Sequence, residues 1–118
     1  MKLPTPPTDP LDQIIIAIFT AIAETEGVPL EEMMAHHGKH TVCGHRQLAL
    51  WLISEVTLTN NCEIARRLDT PRDLVQYSLT QVANRLSTDA DLRAAAESLA
   101  ANFTDQYADL HTVPIGRL

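Results

Sequence analysis

Between positions 36 and 45 the chain places His36, His37, His40, Cys43 and His45, five side chains of zinc-binding type within ten residues. A zinc site needs four such donors in a tetrahedron. Their spacing matches no established zinc motif, so the cluster has two readings: a metal centre, or a polar loop whose imidazoles titrate near neutral pH. A second set of chemistry-bearing residues follows. Arg46 and Gln47, then Arg72, Gln76 and Tyr77, carry the guanidinium, amide and phenol groups that grip phosphate oxygens and read base edges. An arginine can bond guanine through two donors and a glutamine can pair with adenine, each worth roughly 1–3 kcal/mol of discrimination.

These residues need elements to hold them, and the apolar pattern supplies six helices. Residues 1–8 carry three prolines and no apolar periodicity, which predicts an extended or disordered leader. Asp9 as cap, Pro10 in the first turn and Gly27 at the end bound a first helix, with Ile14, Ile15, Ile18, Phe19 and Ile22 at helical spacing. Pro29 opens a short second helix bearing Leu30, Met33 and Met34, and Gly38 marks its end. The polar run that follows reads as a loop. Over about residues 45–57, Leu48, Trp51, Leu52 and Val56 recur at three- and four-residue steps and predict a buried central helix that starts at Arg46 and Gln47.

Asn60 with Glu63 three positions on predicts a capped short helix ending near Leu68, with Cys62 as a small core residue beside Ile64. Thr70, Pro71 and Asp73 repeat the start signal. Val75, Leu79, Val82 and Leu86 then form one apolar stripe, leaving Arg72, Asp73, Gln76, Tyr77 and Thr80 on the opposite face. Thr88, Asp89 and Asp91 open a last helix reaching about Phe103, with Leu92, Ala95, Ala96 and Leu99 inward. Helix, polar turn, short helix, turn and third helix over residues 45–73 outline a helix-turn-helix.

Composition narrows the function classes. The 118 residues suit one small domain with a leader at 1–8, a body at 9–103 and a tail at 104–118. With a hydrophobic fraction of 45% and an aromatic fraction of 4%, the core must be largely aliphatic. A formal net charge of -6 argues against an indiscriminate nucleic-acid coat. The acidity lies mostly elsewhere than residues 46–86, where five arginines face four carboxylates. No signal-peptide layout precedes the two cysteines, and the apolar run 14–19 falls short of the ~20 residues of a membrane span, so a reduced cytoplasmic setting without membrane contact is expected. Carboxylates scattered over helix starts, no glycine-rich phosphate loop and no base oriented on Cys43 predict neither an enzyme nor a cofactor.

The run RQLALWLISEVT followed by NNCEIARRL resembles the C-terminal DNA-binding domain of the bacterial chromosomal replication initiator DnaA, over roughly residues 14–103. Arg46, Gln47, Ala49, Leu52, Glu55, Thr57, Glu63 and Ile64 carry the likeness. The resemblance implies a six-helix, Trp-repressor-like all-α domain that enters the major groove with the helix after the turn and the minor groove with the loop before the central helix. It places Arg46 and Gln47 on a phosphate. The family's Gly-Arg-Asp-His-x-Thr signature is replaced by DTPRDLVQ, which implies altered base reading. Its arginine-rich loop is replaced by His36, His37, Lys39 and His40, among which only Lys39 is reliably charged at neutral pH. Family loops at this place hold no metal, which favours the titrating reading of the histidines.

Duplex DNA is the expected partner, engaged by Lys39, Arg46, Gln47, Thr57, Arg66, Thr70, Arg72, Asp73, Gln76 and Tyr77. Thr57 offers either a phosphate contact or a buried turn hydroxyl, and Arg66 and Arg67 suit backbone contacts or ion pairs better than bases. The family's ATP-binding domain is not part of the sequence, so a free-standing relative with a role in replication initiation or its control is implied. The alternative is an acidic protein-interaction module on the same scaffold, engaging a replication or transcription partner.

Overall fold

The computed structural model describes residues 1–35 and 40–107, with His40 and Thr41 as backbone alone. The described residues form six helices and no strand: α1 (Pro10–Glu26), α2 (Leu30–Met34), α3 (His40–Thr57), α4 (Asn61–Arg67), α5 (Arg72–Thr88) and α6 (Ala90–Gln106). The all-α, six-helix expectation is borne out. None of these helices is long and apolar enough to cross a membrane.

The start and stop signals of α1 act as expected. Asp9 Oδ1 accepts the Asp12 backbone N–H at 3.0 Å, satisfying a donor that the helix leaves free. Pro10 fills the first helical position, and Gly27 ends the helix at φ 66°, a left-handed conformation in which a Cβ would be strained. Ile14, Ile15, Ile18, Phe19 and Ile22 are all buried. They pack on α3, which also contacts α2, α5 and α6.

Being surrounded changes how α3 is used. Its fully buried residues include Ala49, Leu50, Leu52 and Ile53, whereas Leu48 and Trp51 are only half-buried. A helix with neighbours on several sides buries more than the single stripe its strongest periodicity marks. It also starts earlier than predicted, at His40 rather than near residue 45, so residues 40–44 are helical and not loop. Val42, 4% exposed, anchors this first turn to the core, and Gly44 is carried within the helix.

The remaining elements close the core from the other side. Ile64, Leu68, Val75 and Phe103 join it, while Val82, Leu86 and Ala96 form a smaller cluster with Leu48, Trp51 and Leu92. Asn60 caps α4, its Oδ1 accepting from Glu63 N at 2.9 Å. Cys62 is exposed rather than in the core, because α4 turns Ile64, Ala65 and Leu68 inward. Asp89, not Thr88, caps α6, with Oδ1 accepting from Leu92 N at 3.0 Å, and Thr88 closes α5 instead. The leader is docked rather than loose: Met1 is buried and Lys2 N–H donates to Leu68 O at 2.7 Å. The predicted body end at residue 103 falls three residues short of the end of α6, and tail residues 108–118 lie outside the described residues.

Candidate nucleic-acid interface

A tight turn joins α4 to α5 and sets the two helices against each other. Asp69 takes φ 51°, a left-handed conformation that aspartate tolerates better than most residues, and Thr70 N–H donates back to Ala65 O at 3.0 Å. The chain can therefore reverse within residues 68–71. Pro71 precedes α5 and supplies no side-chain cap, so Thr70 does not take the capping role predicted for it. Its hydroxyl is instead buried without a hydrogen-bond partner among the described residues.

α5 separates into two faces. Val75, Ser78, Val82 and Leu86 face the protein, with the Ser78 hydroxyl satisfied by Leu74 O at 2.8 Å. Arg72, Asp73, Gln76, Tyr77 and Thr80 are exposed. Tyr77 is 58% exposed, which leaves its ring accessible to a partner. Arg72 is also well exposed, and its Nη2 lies 3.9 Å from Asp73 Oδ1, too far for a hydrogen bond. Four of the predicted contact residues, Arg72, Asp73, Gln76 and Tyr77, are thus brought onto one outward face.

The other predicted contacts are placed differently. Arg46 lies in the second turn of α3, away from the free N–H groups of a helix start, and is 5% exposed. Its Nε donates to Met33 O, its Nη2 to Glu32 O at 3.2 Å and its Nη1 to Cys43 Sγ at 3.4 Å. The guanidinium thereby satisfies carbonyls at the end of α2 and ties that helix to α3. Gln47 is engaged as well, its Oε1 accepting from Arg85 Nη2 at 2.8 Å. Thr57 is fully buried and donates to Ile53 O at 2.6 Å, so of its two readings the turn hydroxyl is the one realised.

Arg66 and Arg67 form ion pairs. Arg66 meets both oxygens of Glu63 at 2.8 and 2.6 Å. Arg67, largely buried, reaches Glu63 Oε2 at 2.9 Å, both oxygens of Asp9 at 2.6 and 2.8 Å, and Asp12 Oδ1 at 3.0 Å. The hydrogen bonds from Arg66 and then Arg67 hold the Glu63 carboxyl down to about 2. Arg67 likewise lowers Asp9, against some desolvation. For Asp12 burial pushes upward, but the bonds from Thr8 and Arg67 outweigh it and the net direction is down.

The link from Arg67 to Asp9 and Asp12 had no local signal in the sequence, since the partners lie 58 and 55 positions apart. Only the Glu63–Arg66 and Glu63–Arg67 spacings were legible as helical pairs. Of the zinc candidates, His36 and His37 lie outside the described residues, as do Lys39 and the His40 side chain. Cys43 contacts Arg46, and His45 Nε2 lies 3.8 Å from Glu26 Oε2. Among the described residues no group of three or more His, Cys, Asp or Glu side chains is arranged to hold a metal.

No family model, curated protein or solved structure matches the chain.

Proposed function

We propose that this chain is a duplex-DNA-binding helix-turn-helix protein, a cytoplasmic relative of the DnaA C-terminal domain with a binding rather than a catalytic role in replication initiation or its control. The observation that carries this reading is the outward face of α5, where Arg72, Gln76 and Tyr77 stand exposed directly after the tight turn from α4. Such a helix enters the major groove by its N-terminal half. Arg72 then supplies a two-donor fork for guanine and Gln76 a donor and acceptor for adenine. The backbone N–H groups of the first turn of α5, with no side-chain cap, suit a phosphate oxygen. Arg46 takes no part in this contact, its guanidinium being committed to α2.

Selection from a randomised duplex pool, followed by fluorescence anisotropy on the enriched sequence, tests the proposal. Arg72→Ala is expected to cost about 1–3 kcal/mol at one base pair and to relax preference there alone. Asp73→Asn, which removes a negative charge beside the phosphates, should tighten binding to every sequence. Absence of enrichment, together with no duplex binding at low salt, sinks the reading. One observation favours a second role in that event: Arg66 and Arg67 are already neutralised by carboxylates, so an acidic module that engages a protein partner becomes the better account.

A further inference from the structure

We infer that the cleft between α3 and the α5–α6 corner binds a small monocarboxylate with a compact apolar body, anchored by Arg85. The cleft has a volume of about 440 Å³, within the range of small-ligand sites. Its floor is apolar, made by Leu48, Val82, Leu86 and Leu92, so it takes a hydrophobic body rather than a sugar or a nucleotide. Arg85 stands over that floor. Among the described residues it has no carboxylate partner, unlike Arg66 and Arg67.

Arg85 is oriented even so. Its Nη2 donates to Gln47 Oε1 at 2.8 Å, a neutral partner that orients the guanidinium without pairing its charge. An oriented guanidinium with donors to spare above an apolar floor matches a carboxylate head on a hydrophobic body. Glu26, which also lines the cleft and lies 3.8 Å from His45, adds a negative charge that opposes any anion and opposes doubly charged phosphates and dicarboxylates more than a monocarboxylate. The ligand class is therefore singly charged and amphipathic. The site is independent of the DNA-reading face, which occupies the other half of α5.

A ¹⁵N–¹H NMR titration of the full chain with 3-phenylpropanoate, 3-phenylpropanamide and inorganic phosphate tests the site. The carboxylate is expected to give saturable shifts converging on the amides of Gly44, Gln47, Arg85 and Leu92, with the neutral amide and phosphate each at least tenfold weaker. Arg85→Met should weaken the carboxylate at least tenfold and leave the neutral amide unchanged. Arg85 is exposed and holds no ion pair among the described residues, so this variant keeps its fold, as its spectrum will report. Shifts that never saturate, equal binding of carboxylate and amide, equal binding of phosphate, or no loss in Arg85→Met would each overturn the assignment.

Discussion

Arg46 is where residue type and residue role part most sharply. A guanidinium followed by an amide at a helix start suits a phosphate, yet here the side chain is buried against the Glu32 and Met33 carbonyls and the Cys43 thiol. Removing it takes the guanidinium from the Met33 carbonyl and leaves the Glu32 carbonyl with only the Ala35 N–H at 3.3 Å. Arg46→Met is therefore expected to lower stability by about 2–3 kcal/mol in urea unfolding, the cost of losing bonds to a charged donor and stranding a buried acceptor. Arg46→Lys should recover only part of this, because a single ammonium nitrogen cannot reproduce donors spread over Nε, Nη1 and Nη2. An Arg46→Met protein of unchanged stability would show the contacts to be incidental. Arg72, Gln76 and Tyr77 behave oppositely: their exposure was legible, because Val75, Val82 and Leu86 already specify which side of α5 faces inward.

At the scale of elements, α1 and α4 are joined by charge as well as by packing. Arg67 on α4 bridges Asp9 and Asp12 at the start of α1, while Glu63 binds Arg66 and Arg67 within α4. All three carboxyls titrate below their ordinary values in the folded protein. Depressed folded values make the native state bind fewer protons than the unfolded chain, so the stabilisation is complete above the unfolded values and is lost as pH falls. For Glu63 the loss runs from its ordinary 4.5 down to about 2. Urea midpoints measured across that window should fall steadily in the natural protein and fall less in Arg67→Met, which is also less stable at neutral pH because Asp12 is left buried without its cation. Identical pH profiles for the two proteins would exclude the bridge as a stabilising element. The local half of this network was readable from i,i+3 and i,i+4 spacing, and the half that joins two helices was not, since only packing brings positions 9 and 67 together.

For the molecule as a whole, how the arginines are spent decides what kind of DNA binding it can support. With Arg46 turned inward and Arg66 and Arg67 paired, few cations among the described residues remain near α5 to displace counterions. The proposed DNA complex should accordingly show a shallow salt dependence, with log K falling against log salt at a slope of about 2 or less in magnitude. A slope of about 5 or more would mean that a larger basic surface is engaged. The sequence by itself determined the helical class, the order and caps of most helices, the inward stripe of α5 and the outward set Arg72, Gln76 and Tyr77, because each depends on residues within a turn or two of one another. Only the tertiary structure decided that α3 begins at His40, that the leader docks, that Arg46 and Arg67 clamp neighbouring elements and that Arg85 stands over a cleft. These depend on which elements become neighbours, and a charged side chain binds whatever acceptor packing brings within reach, a choice that no local pattern records.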